Sequence, residues 1–79
     1  QEAIEYYLES LAIYRKSYVD HHRTVLELRE LIGDVYDTSG KVSEALKYYE
    51  LVLKLRQRHC PADADLSELK KKIEHLRKR

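Results

Sequence analysis

Slid against itself by 42 positions, the 79-residue chain repeats. Glu2, Ala3, Ile4, Tyr6, Tyr7, Leu11 and Ile13 fall on Glu44, Ala45, Leu46, Tyr48, Tyr49, Leu53 and Leu55. At an offset of 41, Thr24, Val25, Glu27, Leu28, Ile32 and Val35 fall on Asp65, Leu66, Glu68, Leu69, Ile73 and Leu76. The two registers interleave, so two kinds of segment alternate along the chain. Each segment carries apolar residues at the three-and-four spacing of one buried helix stripe. Ala3, Ile4, Tyr7, Leu8 and Leu11 begin the series, followed by Val25, Leu28, Ile32, Val35 and Tyr36. Val42, Ala45, Leu46, Tyr49 and Leu53 come third, and Leu66, Leu69, Ile73 and Leu76 close it. Alternation of two helix types at a fixed period is the pattern of a helical solenoid, in which each hairpin hides its apolar face by stacking on its neighbours. The predicted fold class is therefore all-α, with four antiparallel helices stacked as hairpins in one domain.

The ends of the predicted helices carry chemical signals. Thr24 with Glu27, and Asp65 with Glu68, have the spacing of a capping box, in which the first side chain caps a free backbone N–H and the glutamate reaches back. Gly40 can adopt the left-handed conformation that closes a helix, which places a turn at about residues 38–41. Pro61 ends the third helix and opens a connection over residues 62–64. Two glycines and one proline leave little from which to build sheet turns.

Once the repeat is seen, Gly33, Tyr36, Gly40, Ala45 and Tyr49 resemble the tetratricopeptide repeat, whose helix A carries a glycine and a tyrosine, whose turn carries a glycine, and whose helix B carries an alanine and an aromatic residue. The resemblance implies helix B of a first, partial repeat over 1–19, a complete helix A and helix B over 24–58, and a C-terminal capping helix over 65–79. Gly33 and Ala45 would be the small residues at the crossing of the hairpin, with Tyr36 and Tyr49 beside them and with Ala3 and Tyr7 as the repeat-equivalents of Ala45 and Tyr49. The long period is similar to that of kinesin light chains and related tetratricopeptide proteins. Two departures stand out: Arg29 occupies the place of the large aromatic expected early in helix A, and the proline expected after helix B is delayed to Pro61. Glu74 stands at the counterpart of Gly33, and with Lys70, Lys71, Lys72, Arg77, Lys78 and Arg79 it makes the last helix read as a polar cap.

Such repeats line a groove with their A helices and receive a partner peptide or helix there. The resemblance places Glu27, Glu30, Asp34, Asp37 and Thr38 on that face in the complete repeat, and Glu68, Lys71, His75 and Lys78 on it in the last helix. Glu27 is expected to be consumed by its capping box, leaving Glu30, Asp34 and Asp37 as an acidic stripe beside a basic end. That pattern suits a protein partner of basic or mixed charge, gripped by charge-assisted hydrogen bonds. The alternative is a solvated helix face. The Lys and Asn clamp that grips chaperone C-terminal carboxylates is missing, as is the basic groove by which light-chain repeats would hold acidic cargo.

Other functions find little in the residues. The chain holds no phosphate loop, nucleophile elbow or HExxH, and its serines form no arrangement with His and Asp, so neither catalysis nor a small-molecule substrate is expected. His21, His22, His59 and Cys60 have metal-binding side chains but no finger-type spacing, so no metal and no cofactor is expected. A formal net charge of +1 argues for neither nucleic acid nor an anionic membrane surface, and the basic tail keeps Ile73 and Leu76 in its apolar stripe. The chain has no apolar run long enough to span a membrane, and its single cysteine favours a reducing, cytoplasmic setting. The lack of methionine, position 1 included, reads as a piece of a longer or processed chain. A second expectation is assembly, possible as a homodimer, through the apolar surface around Tyr7, Leu8 and Leu11 on an N-terminal helix that has no A-type partner.

Overall fold

The computed structural model describes residues 2–19, 22–59 and 66–78, and among them the chain forms four α-helices. These are α1 (Glu2–Ser17), α2 (Arg23–Thr38), α3 (Val42–His59) and α4 (Ser67–Arg77). Each packs on the next in chain order, and the array is a slab of 34 × 32 × 14 Å. Stacking of neighbours in a row, rather than closure around one centre, is what the repeat predicts.

Two apolar clusters result, and α2 contributes to both. Val25, Leu28 and Ile32 pack with Ile4 and Leu11 of α1, flanked by Tyr7, Leu8 and Val35. On its other side α2 gives Leu26 to a cluster of Ala45, Tyr49 and Val52 from α3 and Leu69, Ile73 and Leu76 from α4. The repeat-equivalent residues make equivalent contacts: Leu28 and Ile32 receive α1 as Leu69 and Ile73 receive α3. Tyr36 touches both clusters and meets the ring of Tyr48, with centroids 5.8 Å apart.

The turn after α2 follows the glycine rule. Gly40 has φ +81°, its N–H donates to the Asp37 carbonyl, and the Lys41 N–H reaches back to the Tyr36 carbonyl at 2.8 Å. Those two bonds make a Schellman motif, which satisfies carbonyls that the helix end would leave open. A side chain at position 40 would meet no neighbouring atom within 4 Å, so the penalty for one is purely conformational. Gly40→Ala is expected to lower stability by about 1 kcal/mol, the strain of a left-handed L-residue, and Gly40→Asn by less; thermal melts of the two variants check the order.

The start of α2 corrects one expectation. The cap is His22, whose Nδ1 accepts the Thr24 N–H at 3.1 Å, and the helix begins at Arg23. Thr24 is thus already inside the helix and forms no capping box, while Glu27 pairs with Arg23 at 3.4 Å. The imidazole reaches the free N–H because it also stacks on Tyr18, with ring centroids 4.2 Å apart. At α4 the cap position is Leu66, which makes no side-chain cap bond; Asp65 lies outside the described residues, as do His21, Cys60 and Pro61.

Candidate partner-binding face

Gly33 sits on the helix-A side of the hairpin crossing, and the ring of Tyr49 lies directly over it. A Cβ built at position 33 would stand 2.7 Å from Cε1 and 2.9 Å from Cδ1 of Tyr49, closer than real carbon atoms approach. Tyr49 is 1% exposed and Ala45 is fully buried, so the ring is held from all sides. One residue after the glycine, Asp34 Oδ1 accepts a hydrogen bond from the Tyr49 hydroxyl. Burial raises the Tyr49 hydroxyl pKa above its ordinary value of 10.0, and the bond to Asp34 and the nearby charges of Asp34, Asp37 and Glu30 push in the same direction.

The acidic stripe of α2 is therefore anchored to the core at its midpoint, and cations from two other helices meet it. Arg56 of α3 donates to Glu30 Oε1 at 3.0 Å. Lys72 of α4 donates to Glu30 Oε2 at 2.9 Å and to Asp34 Oδ1 at 3.1 Å. Lys72 Nζ also stands 5.5 Å from the centre of the Tyr49 ring, in cation–π range. Burial alone would lower the Lys72 pKa; its hydrogen bonds to Glu30 and Asp34 and their charges outweigh that and raise it above its ordinary 10.5. Two carboxylates and two cations leave this cluster neutral, and it ties α2, α3 and α4 together.

Glu30 and Asp34 are brought together by the fold, but as members of an internal network. Among the other residues that the sequence marks, Asp37 is half-buried, and Thr38 is exposed with its hydroxyl bonded to the Asp34 carbonyl at 3.0 Å. Lys71 and His75 are both exposed on α4. Because Lys72 fixes α4 beside α2, the acidic row of α2 and the basic row of α4 lie on neighbouring helices of the same type.

Arg56 and Lys72 have functions that the sequence reading did not assign. Lys72 was one lysine in a run of three, and only the apolar register of Leu69, Ile73 and Leu76 distinguishes its direction from that of Lys71. Arg29 is another such residue. It is 5% exposed at the place where an aromatic was expected, close enough to Tyr48 for its charge to oppose the rise that burial gives that hydroxyl. Among the described residues no buried side-chain nitrogen or oxygen is left without a hydrogen bond. Ala3 departs from its expected packing place. It is exposed, whereas its equivalent Ala45 is buried.

Among the described residues no group of three His, Cys, Asp or Glu side chains could hold a metal ion, and no helix is long and apolar enough to cross a membrane. Comparison with curated proteins and with solved structures gives no match. The family model described as tetratricopeptide repeat matches residues 1–58, which covers α1, α2 and nearly all of α3. With the Gly33–Tyr49 crossing, the Gly40 turn and the stacked A and B helices in place, the chain belongs to the tetratricopeptide repeat family, whose members are protein-interaction scaffolds.

Proposed function

We propose that the chain is a non-catalytic, cytoplasmic scaffold that lays a partner peptide or helix of mixed charge across α2 and α4. The observation that carries this reading is the pairing of two unlike rows on adjacent A-type helices, held in register by Lys72. Asp37 and Thr38 offer acceptors at the end of α2, and Lys71 and His75 offer exposed donors on α4. Within the α2 row, Glu30 and Asp34 are already neutralised by Arg56 and Lys72. Their lone pairs already accept from Arg56, Lys72 and Tyr49, so they shape the field that a partner meets and act less as primary grips. Electrostatic complementarity of this kind gives orientation and selectivity more than raw affinity.

Charge reversal at Glu30 or Asp34 would place a cation against Arg56 or Lys72 and damage the fold together with any binding. The exposed positions give a cleaner test. Peptides selected from a random displayed library against the folded chain are expected to carry both acidic and basic residues. Lys71→Glu with His75→Glu should leave the melting temperature nearly unchanged and weaken those peptides by about tenfold, the effect of roughly 1.4 kcal/mol lost at the interface. Equal binding to both forms would show that the partner sits elsewhere.

A further inference from the structure

Arg77 of α4 draws an acid away from the surface of α3. Its guanidinium donates to Glu50 Oε2 at 2.6 Å. Glu50 stands three residues after Lys47 and four before Lys54, the spacing at which it would otherwise neutralise either lysine on the helix surface. Glu44, three residues before Lys47, is half-buried and close enough to Tyr48 for its charge to act on that hydroxyl. Among the described residues, the side chains of Lys47, Lys54 and Arg58 enter no ion pair or hydrogen bond. All three are exposed, and with Leu51, which is 38% exposed, they mark one line along α3 at i, i+4, i+7 and i+11, about 16 Å long. The line runs along the side of α3 opposite Ala45, Tyr49 and Val52, which pack into the core.

The helix's own chemistry does not account for this line. The dipole favours cations within the last turn, where Arg56, Arg58 and His59 stand, and does not reach Lys47 or Lys54. Nor do the cations continue onto α1, the equivalent helix of the repeat. α1 lies beside α3, since Tyr48 packs against the cluster that holds Ile4 and Leu11. There the positions of Lys47 and Leu51 carry Glu5 and Glu9, both exposed. The basic line is thus confined to one helix and bounded by acids on the α1 side.

We propose that the outward side of α3 is a second docking surface, which takes an acidic helical segment of a partner protein laid along Lys47, Leu51, Lys54 and Arg58. Charge complementarity assigns the occupant. Carboxylates facing Lys47, Lys54 and Arg58 would form charge-assisted hydrogen bonds, and an apolar residue facing Leu51 would cover its exposed side chain. The spacing keeps the line nearly parallel to the helix axis, the geometry in which two helices pack lengthwise. An anionic bilayer or a nucleic-acid duplex would spread beyond one helix and press on Glu5 and Glu9, so the surface suits a narrow ligand. It shares no residue with the mixed-charge rows of α2 and α4, so either reading can fail without the other.

The probes are two capped helical peptides built on alanine and glutamine, one for each direction of docking. The first presents glutamate, leucine, glutamate and glutamate at i, i+4, i+7 and i+11; the second presents glutamate, glutamate, leucine and glutamate at those positions. Titrated at low salt into the isotopically labelled chain, one of them is expected to shift the amides from Lys47 to Arg58 and leave those of Lys71 and His75 in place, with a midpoint below about 1 mM. Lys47→Gln with Lys54→Gln should keep the melting temperature, because both side chains are exposed, and weaken that peptide by about tenfold. Arg77→Gln lies outside the surface and should weaken it by a smaller factor, by releasing Glu50 to the two lysines. No shifts with either peptide at that concentration, shifts confined to α4, or binding that the lysine substitutions leave unchanged would overturn the proposal. Tighter binding of vesicles of phosphatidylserine and phosphatidylcholine, or of a double-stranded DNA oligomer, would assign the line to a polyanion and overturn it as well.

Discussion

Gly33→Ala is expected to destabilise the chain, although alanine is the better helix former. In an exposed helix interior the exchange would gain up to about 1 kcal/mol. Here the new methyl group would overlap the Tyr49 ring at 2.7 Å, and the ring has nowhere to go because it is buried and its hydroxyl is tied to Asp34. Overpacking of this kind costs about 1–3 kcal/mol, so the net loss should be about 1–2 kcal/mol, a fall of roughly 5–15 °C in melting temperature for a domain this small. A double-mutant cycle separates the two terms. In a Tyr49→Leu background the ring is absent, and Gly33→Ala should become neutral or stabilising, with a coupling energy of about 1 kcal/mol or more. If the alanine stabilises the unmodified chain, helix propensity governs position 33 and the crossing is looser than its geometry indicates.

That crossing was legible in the sequence, and the reason is physical. A glycine within an otherwise continuous helical pattern weakens the helix, so its place must be set by something that approaches it closely. The resemblance to the tetratricopeptide repeat then supplied the aromatics beside it, Tyr36 and Tyr49, of which Tyr49 is the one that does. Gly40 was legible for a similar reason, since a positive φ at a helix end admits few other residues.

The polar network was not legible. Periodicity specifies which face of a helix is apolar, but not which of several lysines on the opposite face points toward a neighbouring helix. The reach from Lys72 to Glu30 spans 42 residues and depends on how α4 settles against α2 and α3. The same limit explains the acidic stripe: the resemblance named Glu30 and Asp34 as groove-facing acids, and their use by Arg56, Lys72 and Tyr49 emerged only from tertiary packing. At α2 the Thr24–Glu27 spacing suggested a cap, yet His22 took the position because its ring could rest on Tyr18 and still reach the backbone.

Asp34 carries the second large effect, and it couples stability to alkaline pH. Asp34→Ala removes the acceptor of a buried hydroxyl and one of the two carboxylates holding Lys72. A buried donor left without a partner costs about 1–3 kcal/mol. The Asp34 side chain is 41% exposed, so water can partly replace it and the expected loss is about 1–2 kcal/mol, with little added by the solvent-screened ion pair. Tyr49→Phe in the same background should recover part of that loss, because no hydroxyl then remains to be satisfied. The pH dependence follows from the two raised proton affinities. Tyr49 and Lys72 both hold their protons more tightly in the folded chain than in the unfolded one. Their contribution is therefore fully present below the unfolded values, near 10.0 and 10.5, and is lost as pH rises toward the folded ones. Denaturant titrations should give a flat stability from these two groups up to about pH 10 and a decline above it. Tyr49→Phe should reduce the slope of that decline, since phenylalanine has no proton to lose, and Lys72→Met should reduce it again. A slope that both variants leave unchanged would mean that the alkaline sensitivity arises elsewhere, and that the Asp34–Tyr49–Lys72 contact does not discriminate the folded from the unfolded chain.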